Sequence, residues 1–204
     1  GLTAWRAAVI FGWHALIAIP CLLLVVLGGR RGGAVGHALF ARFWGRATLA
    51  CCGVCLETEG VEHIDRSRTY VLVVNHASEM DFYAVSAAID LQWRALMRPG
   101  LRRIPVYGWI AERTGHVFLS LGEPRRLASD LARALDELGR GHSLLVFAEG
   151  RRSHDGALGP LKPGAFVLAL EAGVPVVPIS VAEVLRAPRR TVLGRGLAHR
   201  IERV

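Results

Sequence analysis

The sequence predicts an α/β fold built from layers of sheet and helix, and three observations carry that prediction. Short apolar, β-branched runs recur, such as Tyr70-Val71-Leu72-Val73-Val74 and Leu144-Leu145-Val146-Phe147, each closed by a polar turn. Segments of helical periodicity lie between them. Strand and helix alternate along the chain instead of segregating, which is the pattern of a layered α/β domain.

In order, strands are expected near residues 69–74, 93–97, 115–120, 143–147, 174–181 and 190–203. Helices are expected near 81–91, 100–113, 124–139 and 163–173. The first strand is introduced by the polar stretch Asp65-Arg66-Ser67-Arg68-Thr69. Ser78 and Glu79 suit the start of the helix that follows it. The 124–139 segment has the clearest period: Leu127, Leu131, Ala134, Leu135 and Leu138 share one face, with Arg125, Arg126, Asp130, Arg133 and Glu137 largely elsewhere. Gly139 and Gly141 end it. Leu161-Lys162-Pro163-Gly164-Ala165-Phe166 opens the last helix, and Gly173-Val174-Pro175-Val176-Val177-Pro178-Ile179 leads into the next strand. The chain opens on glycine and stops within a predicted strand, so a fragment truncated at its C-terminus stays an open reading.

The N-terminal part reads differently. No formally charged residue lies between Arg6 and Arg30. A helix over residues 7–29 would reach ~35 Å, close to a hydrocarbon core of ~30 Å. Pro20 interrupts it, so a kinked or re-entrant helix competes with a clean span. Arg30 and Arg31 would anchor in headgroups. A glycine-rich hinge at 28–33 then leads to a second helical stretch, 34–56, where Arg42 and Arg46 stand among Phe40, Phe43 and Trp44. That stretch reads as amphipathic and interfacial. A cleaved signal peptide lacks a small-residue site before Gly28, and a buried helix pair of a soluble domain is the other bland reading. The division expected is a membrane-associated two-helix region, 1–56, and an α/β domain, 57–204.

Composition agrees with a membrane-facing protein. Apolar residues make up 52% of the chain, and the formal charge of +8 is almost wholly arginine, with Lys162 the single lysine. Basic charge fits nucleic acid or an anionic lipid surface. No helix-turn-helix, zinc-finger or RNP-type signature occurs, so no nucleic-acid partner is expected. Cys21, Cys51, Cys52 and Cys55 include a Cys-x-x-Cys, but no further Cys pair or nearby His completes a zinc set. They read as small buried thiols, and no metal site is assigned. His14, His37, His63, His116, His142, His154 and His199 are given no role.

Chemistry concentrates where two strands end. Val74-Asn75-His76-Ala77-Ser78-Glu79-Met80-Asp81 places a histidine and an aspartate five residues apart. On one straight helix they would point about 140° apart. They meet only if His76 sits in the turn and Asp81 in the first helical turn. A neutral imidazole can then take a hydroxyl proton, while the carboxylate fixes its tautomer and stabilises the imidazolium. The bland alternative is a capping aspartate beside a solvated histidine. After the second strand comes Phe147-Ala148-Glu149-Gly150-Arg151-Arg152-Ser153, where Gly150 allows close backbone approach and the arginines offer donors to phosphate. No Gly-x-Ser-x-Gly setting appears, which argues against a covalent acyl-enzyme. A metal-dependent phosphoesterase using Asn75, His76 and Asp81 would need further ligand clusters, and no Asp-x-His or His-x-His occurs.

Together, in this order, the Asn-His-x4-Asp block, the Glu-Gly-Arg-Arg-Ser block and Val174-Pro175-Val176-Val177-Pro178 resemble the glycerolipid acyltransferase family. The likeness is in particular to bacterial members that acylate 1-acyl-sn-glycerol-3-phosphate, over residues 70–181. The resemblance implies an acyltransferase domain with His76 as base and Asp81 as its orienting carboxylate. It implies an acceptor site formed by Asn75, Glu149, Gly150, Arg151 and Arg152, with Arg152 on phosphate. It implies a lysophospholipid acceptor, an acyl-CoA or acyl-carrier-protein co-substrate and no bound cofactor. It also implies an N-terminal helical hairpin entering one leaflet, and a bacterial inner-membrane location with the catalytic domain cytoplasmic.

One block departs. Where the family has Phe-Ile-Asp-Arg, this chain has Phe118-Leu119-Ser120-Leu121, and Arg151 replaces a threonine later. Another lysophospholipid or a lyso-aminolipid therefore stays open as acceptor. Arg125 and Arg126 could supply the charge missing at Leu121, and Arg98, Arg102, Arg103 and Lys162 are further candidates for phosphate.

Overall fold

The computed structural model describes residues 4–78, 80–153, 157–184 and 197–202. Glu79, read above as part of a helix start, and the opening of the strand expected over 190–203 lie outside the described residues.

Seven described strands form one sheet: β1 (Val54–Thr58), β2 (Val71–Val74), β3 (Trp93–Met97), β4 (Val117–Phe118), β5 (Ser143–Phe147), β6 (Val176–Val184) and β7 (Leu197–Glu202). Their spatial order is β1-β7-β6-β2-β5-β3-β4. The stretch from β6 to β4 is parallel throughout, and β7 runs antiparallel to β6 with β1 parallel to it at the edge. The described helices are α1 (Ala4–Cys51), α2 (Met80–Ala88), α3 (Tyr107–Arg113), α4 (Pro124–Gly139) and α5 (Gly164–Ala172). Leu72, Val74, Trp93 and Ala95 pack with α2 and α3 on one face, and Val71, Val73, Leu144 and Val146 pack with α4 and α5 on the other. A strand covered on both faces needs apolar residues at every position, which is why β2 and β5 read as unbroken runs.

The α1 segment is two helices joined at Gly29, whose φ of 55° and ψ of −133° break the helical path. A residue other than glycine rarely adopts that conformation. Gly32 lies against the carbonyl of Leu24, and the Trp13 and Phe43 rings meet edge-on with centroids 5.3 Å apart. On a straight helix residues 13 and 43 would be ~45 Å apart. The arms therefore run back along each other as a hairpin. The helix continues through Pro20, where an interruption was expected, and breaks at Gly29, within the glycine-rich stretch 28–33 expected as a hinge. The second arm ends at Cys51, not at residue 56: Gly53, with φ 72°, turns the chain and Val54 begins β1. That arm packs on α2, with Gly45 against the Tyr83 and Ala87 backbone and Arg42 2.8 Å from Asp90. Among the described residues no helix is long and apolar enough to cross a membrane.

Two further expectations change. The helix expected over 100–113 divides into a 3-10 helix, Pro99–Arg103, and α3, because Pro105 cannot continue the hydrogen-bond ladder. Glu137, read as lying off the apolar face of α4, is only 2% exposed. The reason is Arg94, itself 1% exposed, whose side chain points from β3 towards α4. Glu137 Oε2 lies 3.7 Å from Arg94 Nε and 2.7 Å from His142 Nδ1, and Arg94 also bonds the Trp93 carbonyl at 2.8 Å. A buried charge needs such partners. His116 joins this cluster, its Nδ1 accepting the Ala95 N–H at 2.8 Å. Burial first, and the neighbouring Arg94 second, push the His116 pKa down to about 3. His37, edge-on against Trp93 with both ring nitrogens covered, is also held well below the ordinary histidine value, chiefly by desolvation.

Candidate active site

The site grows from the C-terminal ends of β2 and β5, which are adjacent and in register, Val74 beside Phe147. From β2 the chain crosses by α2 to β3; from β5 it crosses by α5 to β6, on the other side of β2. The two loops leave in opposite directions and over opposite faces. Such a switch point opens a crevice where parallel α/β sheets bind ligands.

Asp81, 1% exposed in the first turn of α2, organises the β2 loop through a single oxygen. Its Oδ2 accepts the Ala77 N–H at 2.8 Å, the Ser78 N–H at 2.7 Å and the His76 ring at Nδ1, 2.9 Å away. An ionised carboxylate only accepts, so Nδ1 carries the proton and Nε2 keeps its lone pair. The Ser78 hydroxyl receives the Met80 N–H at 3.1 Å and helps to start α2. The turn-then-helix arrangement required by the five-residue spacing is present.

The second block supports the first. Glu149, buried after β5, accepts the His76 backbone N–H at 2.8 Å with one oxygen and the Gly159 N–H at 2.9 Å with the other. The Ser153 N–H donates to the His76 carbonyl at 2.7 Å. Phe147 lies under the imidazole, with ring centroids 4.1 Å apart and planes 26° from parallel. Held at both backbone ends, by Asp81 and by an aromatic floor, the His76 side chain is 18% exposed. Phe147 as a floor was not part of the sequence reading; an aromatic closing a strand one residue before the Glu-Gly block is its only signal.

The remaining residues fall into two groups. Asn75 bonds β6 in both directions, its Nδ2 to the Val181 carbonyl at 2.9 Å and its Oδ1 from the Val181 N–H at 2.7 Å. Its amide ties the loop to the sheet. Gly150 has φ 71°, and a methyl group there would come within 2.7 Å of Lys162 Nζ. The chain's single lysine thus lies across this turn. Arg151 and Arg152 are exposed beside it.

The substituted block lies on the same edge. The Ser120 N–H bonds the buried Asp130 carboxylate of α4 at 2.8 Å, and Leu121 is exposed. Arg126 pairs with Glu123 at 2.8 Å, and Arg98 is exposed just after β3. A phosphoesterase site would need several converging ligands. Among the described residues no three His, Cys, Asp or Glu side chains gather that way.

Comparison with known proteins gives the same direction. The model of the family described as Acyltransferase matches residues 55–182. A chloroplastic 1-acyl-sn-glycerol-3-phosphate acyltransferase of Brassica napus is 38% identical over 71% of this chain and 42% of its own length. Its counterpart in Arabidopsis thaliana is 34% identical over 71% of this chain and 40% of its own length. The chain thus spans about two fifths of the length of these relatives. The crystal structure of the 1-acyl-sn-glycerophosphate acyltransferase of Thermotoga maritima superposes with a TM-score of 0.65 at 23% identity, covering 93% of this chain and 83% of that one, a likeness of fold. With well over half its residues matched by the family model, and with that fold, the chain belongs to the acyltransferase family.

Proposed function

We propose that the protein transfers an acyl group from an acyl thioester to the free hydroxyl of 1-acyl-sn-glycerol-3-phosphate, giving phosphatidic acid. The observation that carries this is the Asp81–His76 pair at 2.9 Å, which leaves Nε2 as an acceptor on a side chain 18% exposed. Nε2 takes the hydroxyl proton as that oxygen attacks the thioester carbonyl, and Asp81 stabilises the imidazolium that forms. The tetrahedral intermediate collapses with cleavage of the C–S bond, and the imidazolium returns its proton to the departing thiolate. A thiolate leaves readily, so one histidine suffices for both transfers.

Arg151, Arg152 and Gly150 are proposed to receive the acceptor phosphate, with Arg152 its main partner. Asn75 and Glu149 act through the loop backbone they hold. The donor is acyl-CoA or acyl carrier protein. We also propose two parts, an N-terminal membrane-associated hairpin and the acyltransferase domain, with the seam near Gly53. Leu16, Ile19, Leu23, Val26 and Leu27 form an exposed helical stripe on the first arm, suited to one leaflet of an anionic membrane. The catalytic domain would face the compartment that makes the thioesters.

The test is thiol release and lipid product from oleoyl-coenzyme A and lysophosphatidic acid in detergent micelles, for wild type and His76→Ala, with and without chelator. Phosphatidic acid from wild type alone, insensitive to chelator, is the expected result; equal turnover by His76→Ala would overturn the mechanism. A second reading keeps the chemistry and changes the acceptor. Exposed Leu121, in place of a cation, motivates it. Product from another lysophospholipid or a lyso-aminolipid, and none from lysophosphatidic acid, would select it.

A further inference from the structure

We infer that residues 104–109 form a second lipid-docking tip, seated in an anionic bilayer surface beside the α1 hairpin. The inference rests on the membrane association proposed above and adds to it a contact at the catalytic edge.

The chain leaves β3, forms the 3-10 helix Pro99–Arg103, and turns at Ile104-Pro105-Val106 into α3. Ile104, Val106 and Trp109 are exposed, Val106 at 52%, while the Tyr107 hydroxyl turns inward to Met97 Sδ at 3.8 Å. The turn is strained as well as apolar. Val106 has φ 64° and ψ −53°, the only positive φ at a non-glycine among the described residues. The Tyr107 N–H bonds the Pro105 carbonyl at 2.7 Å across it. That is a γ-turn, with angles near the strained minimum of about +75° and −65°. A β-branched residue is among the least suited to this conformation. Flanking bonds hold it there: the Gly108 N–H reaches the Ile104 carbonyl and the Ile110 N–H the Val106 carbonyl, each at 2.9 Å. The fold therefore fixes an aliphatic side chain at the apex of a rigid turn and leaves it in water. Among the described residues the packing leaves about half of that side chain open to water, surface that an apolar phase would cover.

Three features identify the occupant as lipid. The first is charge: residues 98–113 carry Arg98, Arg102, Arg103 and Arg113 against the single acid Glu112, which pairs with Arg102 at 2.8 Å. Arginines around exposed aromatics are the composition of a membrane interface with anionic headgroups. Arg113 lies over the Trp109 ring, 4.9 Å from its centroid, so that ring is already paired with a cation at its rim. The second is continuity. The α3 helix packs on α1, with Thr114 against Gly33 near the hairpin apex. Both apolar surfaces thus lie on the side of the sheet that carries α2 and α3. The third is position. The turn follows β3 at the C-terminal edge of the sheet, the edge from which His76 projects. A tip seated there brings the base to the layer in which a lysolipid hydroxyl resides.

The test uses the full chain and vesicles of phosphatidylcholine containing phosphatidylglycerol. Val106→Gly is the variant that must fold, since glycine takes this conformation freely and loses only the exposed side chain. Its thermal midpoint is expected to equal or exceed that of wild type, while its vesicle partition coefficient falls severalfold; Val106→Asp should lower it about tenfold or more. Trp109→Phe should remove a component of the tryptophan emission that brominated lipid quenches in wild type. Wild-type affinity in both Val106 variants, or undiminished quenching in Trp109→Phe, would overturn the tip and leave α1 as the sole contact. A wild type that binds no vesicle would overturn the membrane reading itself. A wild-type dimer that Val106→Asp renders monomeric in sedimentation would assign the surface to a second copy of the chain.

Discussion

Glu149 holds the backbone of His76: its carboxylate accepts the His76 N–H at 2.8 Å from across the β5 loop. The acid of one block thus sets the position of the base in the other, and does so through the main chain, leaving the imidazole free to exchange its proton. Glu149→Gln keeps the size but turns one acceptor into a donor facing a backbone N–H. Hydrogen bonds to a charged acceptor are worth about 1.5–3 kcal/mol. The expected result is a kcat lower by about 10–100-fold with KM little changed, and a lower thermal midpoint. A selective rise in KM would instead place Glu149 on the acceptor.

Asp81 serves three donors with one oxygen, so its replacement acts on tautomer and loop together. An asparagine amide can donate to Nδ1 and move the imidazole proton to Nε2, the wrong nitrogen for a base. Asp81→Asn is expected to cost about 10²–10⁴-fold in kcat. Rates within a factor of three of wild type, in steady-state assays of purified folded protein, would show that the tautomer is set elsewhere.

Lys162 lies across the Gly150 turn, and as the single lysine it can be addressed chemically. Lys162→Met should raise the KM for a phosphate-bearing substrate about tenfold, in line with loss of one charge-assisted hydrogen bond. In wild type, peptide mapping after limited amine acylation should show Lys162 protected by that substrate. Equal labelling with and without substrate would place the ammonium outside the phosphate site.

Acid should weaken the fold through its buried histidines. Protonating His116 at Nδ1 would break the Ala95 N–H bond and set a charge beside Arg94. Its folded pKa of about 3 lies below the unfolded value of 6.5, so the stabilisation is complete above pH 6.5 and declines as pH falls towards 3. His37 acts in the same direction. His116 kept neutral contributes a slope of up to about 1.4 kcal/mol per pH unit in that window. Glu137 opposes the shift at His116. Urea unfolding between pH 7.5 and 4.5 should show a shallower decline for His116→Gln than for wild type; parallel curves would contradict this account.

Local patterns were legible in the sequence and long-range charge was not. The bounds of β3, β5 and α4 agree with the periodicity because each buries a regular face. The His76–Asp81 contact was legible because it spans five residues and only one local geometry closes it. β1 was read as the end of a helix, since Val54-Cys55-Leu56 prolongs an apolar run and only Gly53 marks the turn. The burial of Glu137 was invisible from α4 alone, because its counter-charge Arg94 comes from a distant strand. Likewise the Glu149 bond to His76 joins blocks far apart in sequence, and no spacing rule reports it.

The pairing of β1 with β7 joins residues 54–58 to residues 197–201, nearly the whole domain apart. During synthesis β1 emerges directly behind the α1 hairpin, well before β7, its only sheet neighbour among the described residues. Contacts of such long sequence separation form late and slowly. The exposed backbone of an unpaired strand is meanwhile a template for association with other chains. Between the synthesis of β1 and that of β7 the nascent chain therefore carries its amphipathic hairpin made and its edge open. A bilayer that captured the hairpin early would keep that edge apart from other nascent chains, so vesicles added during cell-free translation should raise the soluble-to-aggregated ratio of the product.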